Sequence, residues 1–208
     1  MKTKKMKPVF LFILIFLSLS TTVCLAKTNT KVMTAYNQCT KSKNYLYCTN
    51  GISLFKVNNS NNNVQKLKTV HPYYAQKMHL KGNYLYYIAH SQGSDSSICR
   101  INVNTGKYKR LASNINSSKG FVIYNSNIYY SKEVGNKSQT RVMKLTGKAN
   151  RKTNSKIKCK VKDSNVNNYY VIDDRDKEED DWWNMPANYY LVTPTSRIFL
   201  ENSNNWSS

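Results

Sequence analysis

Apolar and polar residues alternate in short runs along most of the chain, and the runs recur in a fixed order about every forty residues. An Asn opens each unit, at Asn44, Asn83, Asn127 and Asn168, in steps of 39, 44 and 41 residues. An aromatic-rich run follows each Asn: NYLYCT, NYLYYI, NIYYSK and NYYVID. With a two-residue period, Tyr45 and Tyr47 share one strand face, as do Tyr84 and Tyr86, and Ile128 and Tyr130. A second run carries a cation between apolar residues, in Leu54–Asn58, Ile98–Asn102 and Val142–Thr146. Aligned on these runs, Lys56, Arg100 and Lys144 take one common position, which reads as a solvated strand face with a ligand-binding stripe as the alternative. Turns holding Gly106 and Gly147 come next, where glycine supplies a positive φ without steric cost. Short third strands then run to Leu67, Leu111 and Thr153, and a weaker strand precedes the Asn of the later units, at Met78–Gly82, Phe121–Ser126 and Ile157–Ser164.

About four strands per unit and a period near forty residues predict an all-β, β-propeller-like fold. It has about four repeat units of four short antiparallel strands, near residues 35–77, 78–119, 120–156 and 157–202. In such arrays each unit buries its apolar faces against its neighbours. The fourth unit is broken by a charged insertion, Asp173–Asp181, and resumes at Tyr190–Val192 and Arg197–Leu200. A polar tail covers 203–208. Closed propellers typically hold about four to eight blades, so a small ring, an open arc and an incomplete or truncated propeller all fit the length. A two-sheet sandwich of similar hairpins is the competing architecture.

The first 26 residues read as a secretory signal peptide. Lys2, Lys4, Lys5 and Lys7 form the positive region, Val9–Leu19 the apolar region, and cleavage is expected after Ala26. Cys24 offers a lipoprotein alternative, with Val23 in place of the small residue a lipobox wants, and an uncleaved anchor is a third form. After cleavage no transmembrane span is expected. Four cysteines remain, Cys39, Cys48, Cys99 and Cys159, enough for two disulfides in three connectivities. Cys39 and Cys48 are close enough in sequence to bridge neighbouring strands, while a small buried hydrophobe is the plainer reading of Cys48 and Cys99.

Charge adds to this picture. The chain carries 32 Lys and Arg against 11 Asp and Glu, a net +21. Seven of the acids lie in Asp173–Asp181, so the repeats themselves are strongly basic. Such a surface attracts polyanions with steep salt dependence. It also keeps strand edges from pairing. Lys107, Lys109, Arg110, Arg151 and Lys152 are the candidate polyanion contacts, and Trp182 and Trp183 candidate partner contacts or packing residues of the last unit. Basic residues interleaved with Tyr suit single-stranded nucleic acid weakly, because the same Tyr residues are needed to fill the strands.

The motifs ICRIN-NTGKYKRL and VMKLTGKANRKT, following YLYY and NIYYS, resemble those of an exported bacterial propeller-repeat family, itself distantly similar to the six-bladed propeller of the low-density-lipoprotein-receptor type. Asn83, Tyr86, Tyr87, Ile98, Arg100, Ile101, Thr105, Gly106, Lys107 and Leu111 carry the likeness best. The resemblance implies fold and export. It supplies no catalytic motif, and the chain is short of six such units.

Catalytic chemistry has little to stand on. Outside the acidic run the carboxylates are Asp95, Glu133, Asp163 and Glu201, and a Ser–His–Asp set from His90 and Asp95 lacks a nucleophile-elbow motif. No CxxC pair exists and His is scarce, which argues against zinc. The acidic run lacks the spacing of a calcium loop. No cofactor, metal or catalytic residue is therefore assigned. Heavy Lys, Asn, Ser and Tyr usage resembles AT-rich Gram-positive proteomes. The expectation is a secreted or cell-envelope-associated binding module, with an anionic envelope polymer or an exported protein as partner and no specific nucleic acid. An extracytoplasmic enzyme or enzyme regulator with its site on the blade loops, and a truncated paralogue without independent role, are the alternatives. Oligomeric state stays open.

Overall fold

The computed structural model describes residues 32–70, 74–90, 96–154, 158–164, 169–174 and 187–203. The expected signal peptide, Asp95, Trp182, Trp183 and most of the acidic run lie outside the described residues.

The described chain is all-β and propeller-like. Unit 1 is a meander of β1 (Val32–Lys41), β2 (Tyr45–Thr49), β3 (Ser53–Asn58) and β4 (Val64–Thr69). Unit 2 repeats it with β5 (Tyr74–Lys81), β6 (Tyr84–His90), β7 (Ser96–Asn102) and β8 (Tyr108–Ser113). Unit 3 does so with β9 (Phe121–Tyr124), β10 (Asn127–Val134), β11 (Lys137–Lys144) and β12 (Arg151–Lys152). After β13 (Lys158–Ser164), unit 4 has three antiparallel strands, β14 (Tyr170–Asp173), β15 (Ala187–Val192) and β16 (Arg197–Ser203). β13 pairs with β1 in parallel, from Val32 opposite Lys158 to Cys39 opposite Ser164. β1 also meets β5 at Tyr36 and Met78.

Three apolar clusters set the order of the units. On one face of unit 1, Leu46, Cys48, Phe55 and Val57 pack against Ala187, Tyr189, Leu191 and Leu200 of unit 4. On its other face, Tyr47 and Leu54 pack against Met78, Leu85, Tyr87, Cys99 and Ile101 of unit 2. Unit 2 turns Tyr86, Ile88 and Ile98 toward Phe121, Ile128, Tyr130 and Met143 of unit 3. The order is thus 4–1–2–3, and among the described residues no such cluster joins unit 3 to unit 4. Units 1 and 2 are covered on both faces, so the two-sheet sandwich does not hold. Each fully buried Leu, Ile or Phe in these seams contributes about 1.5–3 kcal/mol.

Turn chemistry sets the register, and it corrects the Asn alignment. The β5–β6 turn is Gly82–Asn83, with Lys81 opposite Tyr84. In unit 3 the turn is Asn125–Ser126, both at positive φ (45° and 58°), and Asn127 is already in the strand opposite Tyr124. Two successive positive φ values are the hairpin-compatible turn. The Asn anchor of unit 3 therefore sits one residue late. A one-residue shift exchanges faces, so Ile128 and Tyr130 look back at unit 2, whereas Tyr45 and Tyr47, and Tyr84 and Tyr86, look forward.

The repeated cation is also reassigned. Lys56 lies opposite Tyr47, and Arg100 opposite Tyr86. Both are half-buried and staple their unit to the next. Lys56 Nζ sits 4.1 Å over the Tyr45 ring and donates to the Val103 carbonyl of unit 2 at 3.3 Å. Arg100 sits 4.4 Å over the Tyr84 ring and donates to the Leu145 carbonyl of unit 3 at 3.0 Å. Lys144 is not their equivalent: it opens the turn to β12, its N–H bonded to the Lys148 carbonyl, as Asn102 opens the turn to β8. Val142 takes the staple position in unit 3, opposite Tyr129.

A second link joins units 2 and 3 near β5. Lys77, at a positive φ of 53° beside an irregularity in β5, donates to the carbonyls of Ser117 and Ser118. The His79 ring packs 4.8 Å from that of Phe121, and its Nε2–H donates to the Phe121 carbonyl at 3.0 Å. Burial pushes the His79 imidazole down to about 4. The folded state then binds fewer protons than the unfolded state, whose imidazole titrates near about 6.5. The stability this neutral ring contributes is full above about pH 6.5 and is lost as pH falls toward about 4. Urea midpoints should decline across that window, and His79→Gln should flatten the decline; an unchanged slope would remove His79 as its cause.

Candidate functional site

The candidate site is the outer rim of the arc. The outermost strand of each of the first three units carries two adjacent or near-adjacent cations: Lys66 and Lys68 on β4, Lys109 and Arg110 on β8, Arg151 and Lys152 on β12. Lys107 and Lys148 add charge in the turns leading to β8 and β12. Lys107, Lys109, Arg110, Arg151 and Lys152 are all exposed. The five cations singled out in the sequence thus lie on the outer strands of two adjoining units, or in the turn that leads into one.

Contacts join these strands laterally. Lys68 of unit 1 sits 4.6 Å over the ring of Tyr108 on unit 2, and Tyr108 is 41 % exposed. Leu111 of β8 lies against the β11–β12 turn, where a Cβ on Gly147 (φ +86°) would stand 3.2 Å from its side chain. That close approach and the positive φ both call for glycine. β4 thus meets β8 through Lys68 and Tyr108, and β8 meets the turn that leads into β12 through Leu111.

Of the described carboxylates, Glu201 meets the rim at Lys66 of β4, and Glu133 and Asp174 are held by neighbouring amides. Glu201 on β16 accepts from Lys66 at 2.6 Å and from the Asn50 amide at 2.8 Å, tying unit 4 to unit 1. Glu133 accepts from the Asn116 side chain. Asp174 accepts from the backbone and side-chain amides of Asn188, each at 2.8 Å, and these bonds hold its carboxyl below the usual range. Glu133 and Glu201 do not face one another, each being held within its own local network. Asp163 belongs to β13.

His90 Nδ1 lies 2.7 Å from Ser96 Oγ. The two residues are cross-strand partners at the end of the β6–β7 hairpin, and Ser96 is buried. Among the described residues no group of three or more His, Cys, Asp and Glu is placed to hold a metal ion. A cavity of about 390 Å³ lies on unit 3, lined by Ser118, Lys119, Phe121, Tyr129 and Ser138, and one of about 310 Å³ between units 1, 2 and 4, lined by Gln38, Asn50, Gln76, Asp173 and Tyr189.

The cysteines sort by register. Cys39 and Cys48 lie directly opposite each other on β1 and β2, both fully buried and both free thiols in the structure. Cys99 on β7 is a free thiol 3.3 Å from the Tyr108 hydroxyl. The lateral contacts of the rim, the staples and the Glu201 clamp had no signal in the sequence, because each joins residues of different units.

No protein-family model and no curated protein sequence matches the chain. Among solved structures it is similar to TolB from Acinetobacter baumannii, at 15 % identity and a TM-score of 0.41, over 53 % of this chain and 29 % of that one. It is similar to the nidogen/laminin complex at 11 % identity and a TM-score of 0.39, over 77 % and 62 %. The β-propeller domain of the Trilobed protease from Pyrococcus furiosus, which has an open velcro topology, gives 10 % identity and a TM-score of 0.39, over 80 % and 57 %. The chain spans between 29 and 62 % of the length of these three.

Proposed function

We propose that the protein is an exported, non-enzymatic binding module that holds an anionic polymer of the cell envelope along its outer rim. The observation that carries this reading is the group of exposed cations on and beside β8 and β12, Lys107, Lys109, Arg110, Arg151 and Lys152, with Lys68 of β4 stacked on Tyr108 next to them, while Glu133 and Asp174 are engaged by neighbouring amides and Glu201 offsets only Lys66 of β4. A flexible polyphosphate chain matches such a row, since its charges repeat and its backbone follows a groove or ridge without sequence recognition. Cations on outer strands also protect those edges from pairing with other chains. The two roles are compatible, and binding is what separates them.

The test is retention of the purified protein on Gram-positive cell walls with and without their teichoic acids, across about 50 to about 500 mM salt. Retention should be strong at low salt, fall steeply with added salt, and disappear on walls stripped of teichoic acid. Binding indifferent to both changes would place recognition on uncharged surface, and no binding at low salt would leave the cations as edge protection.

A further inference from the structure

The β1–β2 hairpin places two thiols where one covalent bond fits. Its turn is Lys43–Asn44, closed by the Ser42 N–H bonding to the Tyr45 carbonyl at 2.8 Å. Hydrogen-bonded and non-hydrogen-bonded pairs alternate along an antiparallel ladder. The register runs without a shift through Lys41 opposite Leu46, Thr40 opposite Tyr47 and Cys39 opposite Cys48. Counting from the bonded pair Ser42–Tyr45, Cys39 and Cys48 form a non-hydrogen-bonded pair. Cα atoms in such pairs stand about 4.5 Å apart with their side chains close, inside the range of about 4.4–6.8 Å that a disulfide spans. Cross-strand partners point to the same face, and both residues belong to the cluster beneath unit 4. The other two cysteines among the described residues have other neighbours in register: Cys99 lies opposite Tyr87, and Cys159 opposite Met33.

We propose that Cys39 and Cys48 are joined by a cross-strand disulfide made before unit 4 docks on unit 1. The step is thiol–disulfide exchange with a small disulfide or an oxidised dithiol carrier. One thiolate attacks the carrier's disulfide and releases one carrier thiol; the second cysteine then displaces the other. The two cysteines lose two protons and two electrons in forming one S–S bond, and the carrier takes up both to become two thiols. The order of events follows from burial. Once Ala187, Tyr189, Leu191 and Leu200 cover the pair, both cysteines are fully buried. Burial pushes the Cys39 thiol up to about 12 and the Cys48 thiol up as well, so the attacking thiolate is scarce at neutral pH in the closed arc. In the open chain the thiols are accessible and ordinary. This inference stands apart from the polyanion reading and survives its failure.

The experiment refolds the full chain from denaturant in a mixture of reduced and oxidised glutathione. Free thiols are then alkylated under denaturing conditions, and the Cys39–Cys48 peptide is mapped by mass spectrometry. The expected product is that peptide two hydrogens lighter and unalkylated, with Cys99 alkylated. Full alkylation of Cys39 and Cys48, or linkage of either to Cys99 or Cys159, would overturn the pairing. A second arm adds the same oxidant to chain already folded in reductant. Cross-linking there should be slower than during refolding by at least about tenfold; equal rates would overturn the proposed order of events. Neither arm needs a substituted protein.

Discussion

Phe55→Ala should lower the unfolding free energy by about 3–5 kcal/mol and loosen unit 4 before any other part of the arc. Phe55 is fully buried, lies opposite Cys48, and fills the seam that holds Ala187, Tyr189, Leu191 and Leu200. Unit 4 offers it only three antiparallel strands among the described residues, and no apolar cluster supports that unit from its other side. The ring removed is thus a large part of the one apolar seam that unit 4 has among the described residues. Against a total stability of about 5–15 kcal/mol for a domain, the loss is large. Urea unfolding gives the magnitude, and amide hydrogen exchange gives the location. Protection should fall first in β15 and β16 while β6 and β7, covered on both faces, keep theirs. A uniform fall along the chain would mean that the four units unfold as one block.

Replacing Lys107, Lys109, Arg110, Arg151 and Lys152 together by Gln should weaken binding to an anionic polymer by at least about 100-fold at about 100 mM salt. It should also flatten the dependence of log affinity on log salt by about 3 to 5, since each neutralised phosphate contributes about 0.7 to 0.9 to that slope in nucleic acids. Stability should change little, because all five are exposed and such sites usually fall within about ±0.5 kcal/mol. The control replaces Lys43, Lys81, Lys119 and Lys137, exposed lysines off the outer strands. If the control set costs as much as the rim set, net charge rather than the rim holds the polymer. A rim variant that binds normally but aggregates would assign those cations to edge protection alone.

The strands themselves were legible in the sequence, because a half-buried strand writes its period directly as alternating residues. The runs at Tyr45–Thr49, Tyr84–Ile88 and Leu54–Asn58 all lie in strands. β1 was not legible: VMTAYNQCTK shows no clean alternation, and its backbone is satisfied on one side by a parallel partner far along the chain. The phase of unit 3 was misread for a local reason. Asn125 and Ser126 form the turn, so the Asn that opens the other repeats has a neighbour doing its work. The repeated cation was seen and misjudged, because a staple exists only when the next unit's carbonyl is in place. Lys109, Arg110, Arg151 and Lys152 lie exposed on β8 and β12, where their charge is legible in the sequence because an outer strand needs no partner to be exposed. Trp182 and Trp183 fall outside the described residues.

The parallel pairing of β1 with β13 has a kinetic consequence. Val32 is made 126 residues before the Lys158 it lies beside. β1, the first strand among the described residues, can complete that ladder only after three meanders and their turns exist. Contacts of such sequence separation carry a loop-closure cost that local hairpins do not, and they slow folding accordingly. The hairpins of units 2 and 3 can form from neighbouring residues as they are made. Until β13 arrives, β1 presents one unpaired edge, and an unpaired edge is a template for strands of other chains. The step that closes this ladder is therefore the slowest and most concentration-sensitive one: dilute refolding should outperform concentrated refolding in yield, and the divergence should track the rate at which residues 158–164 find β1.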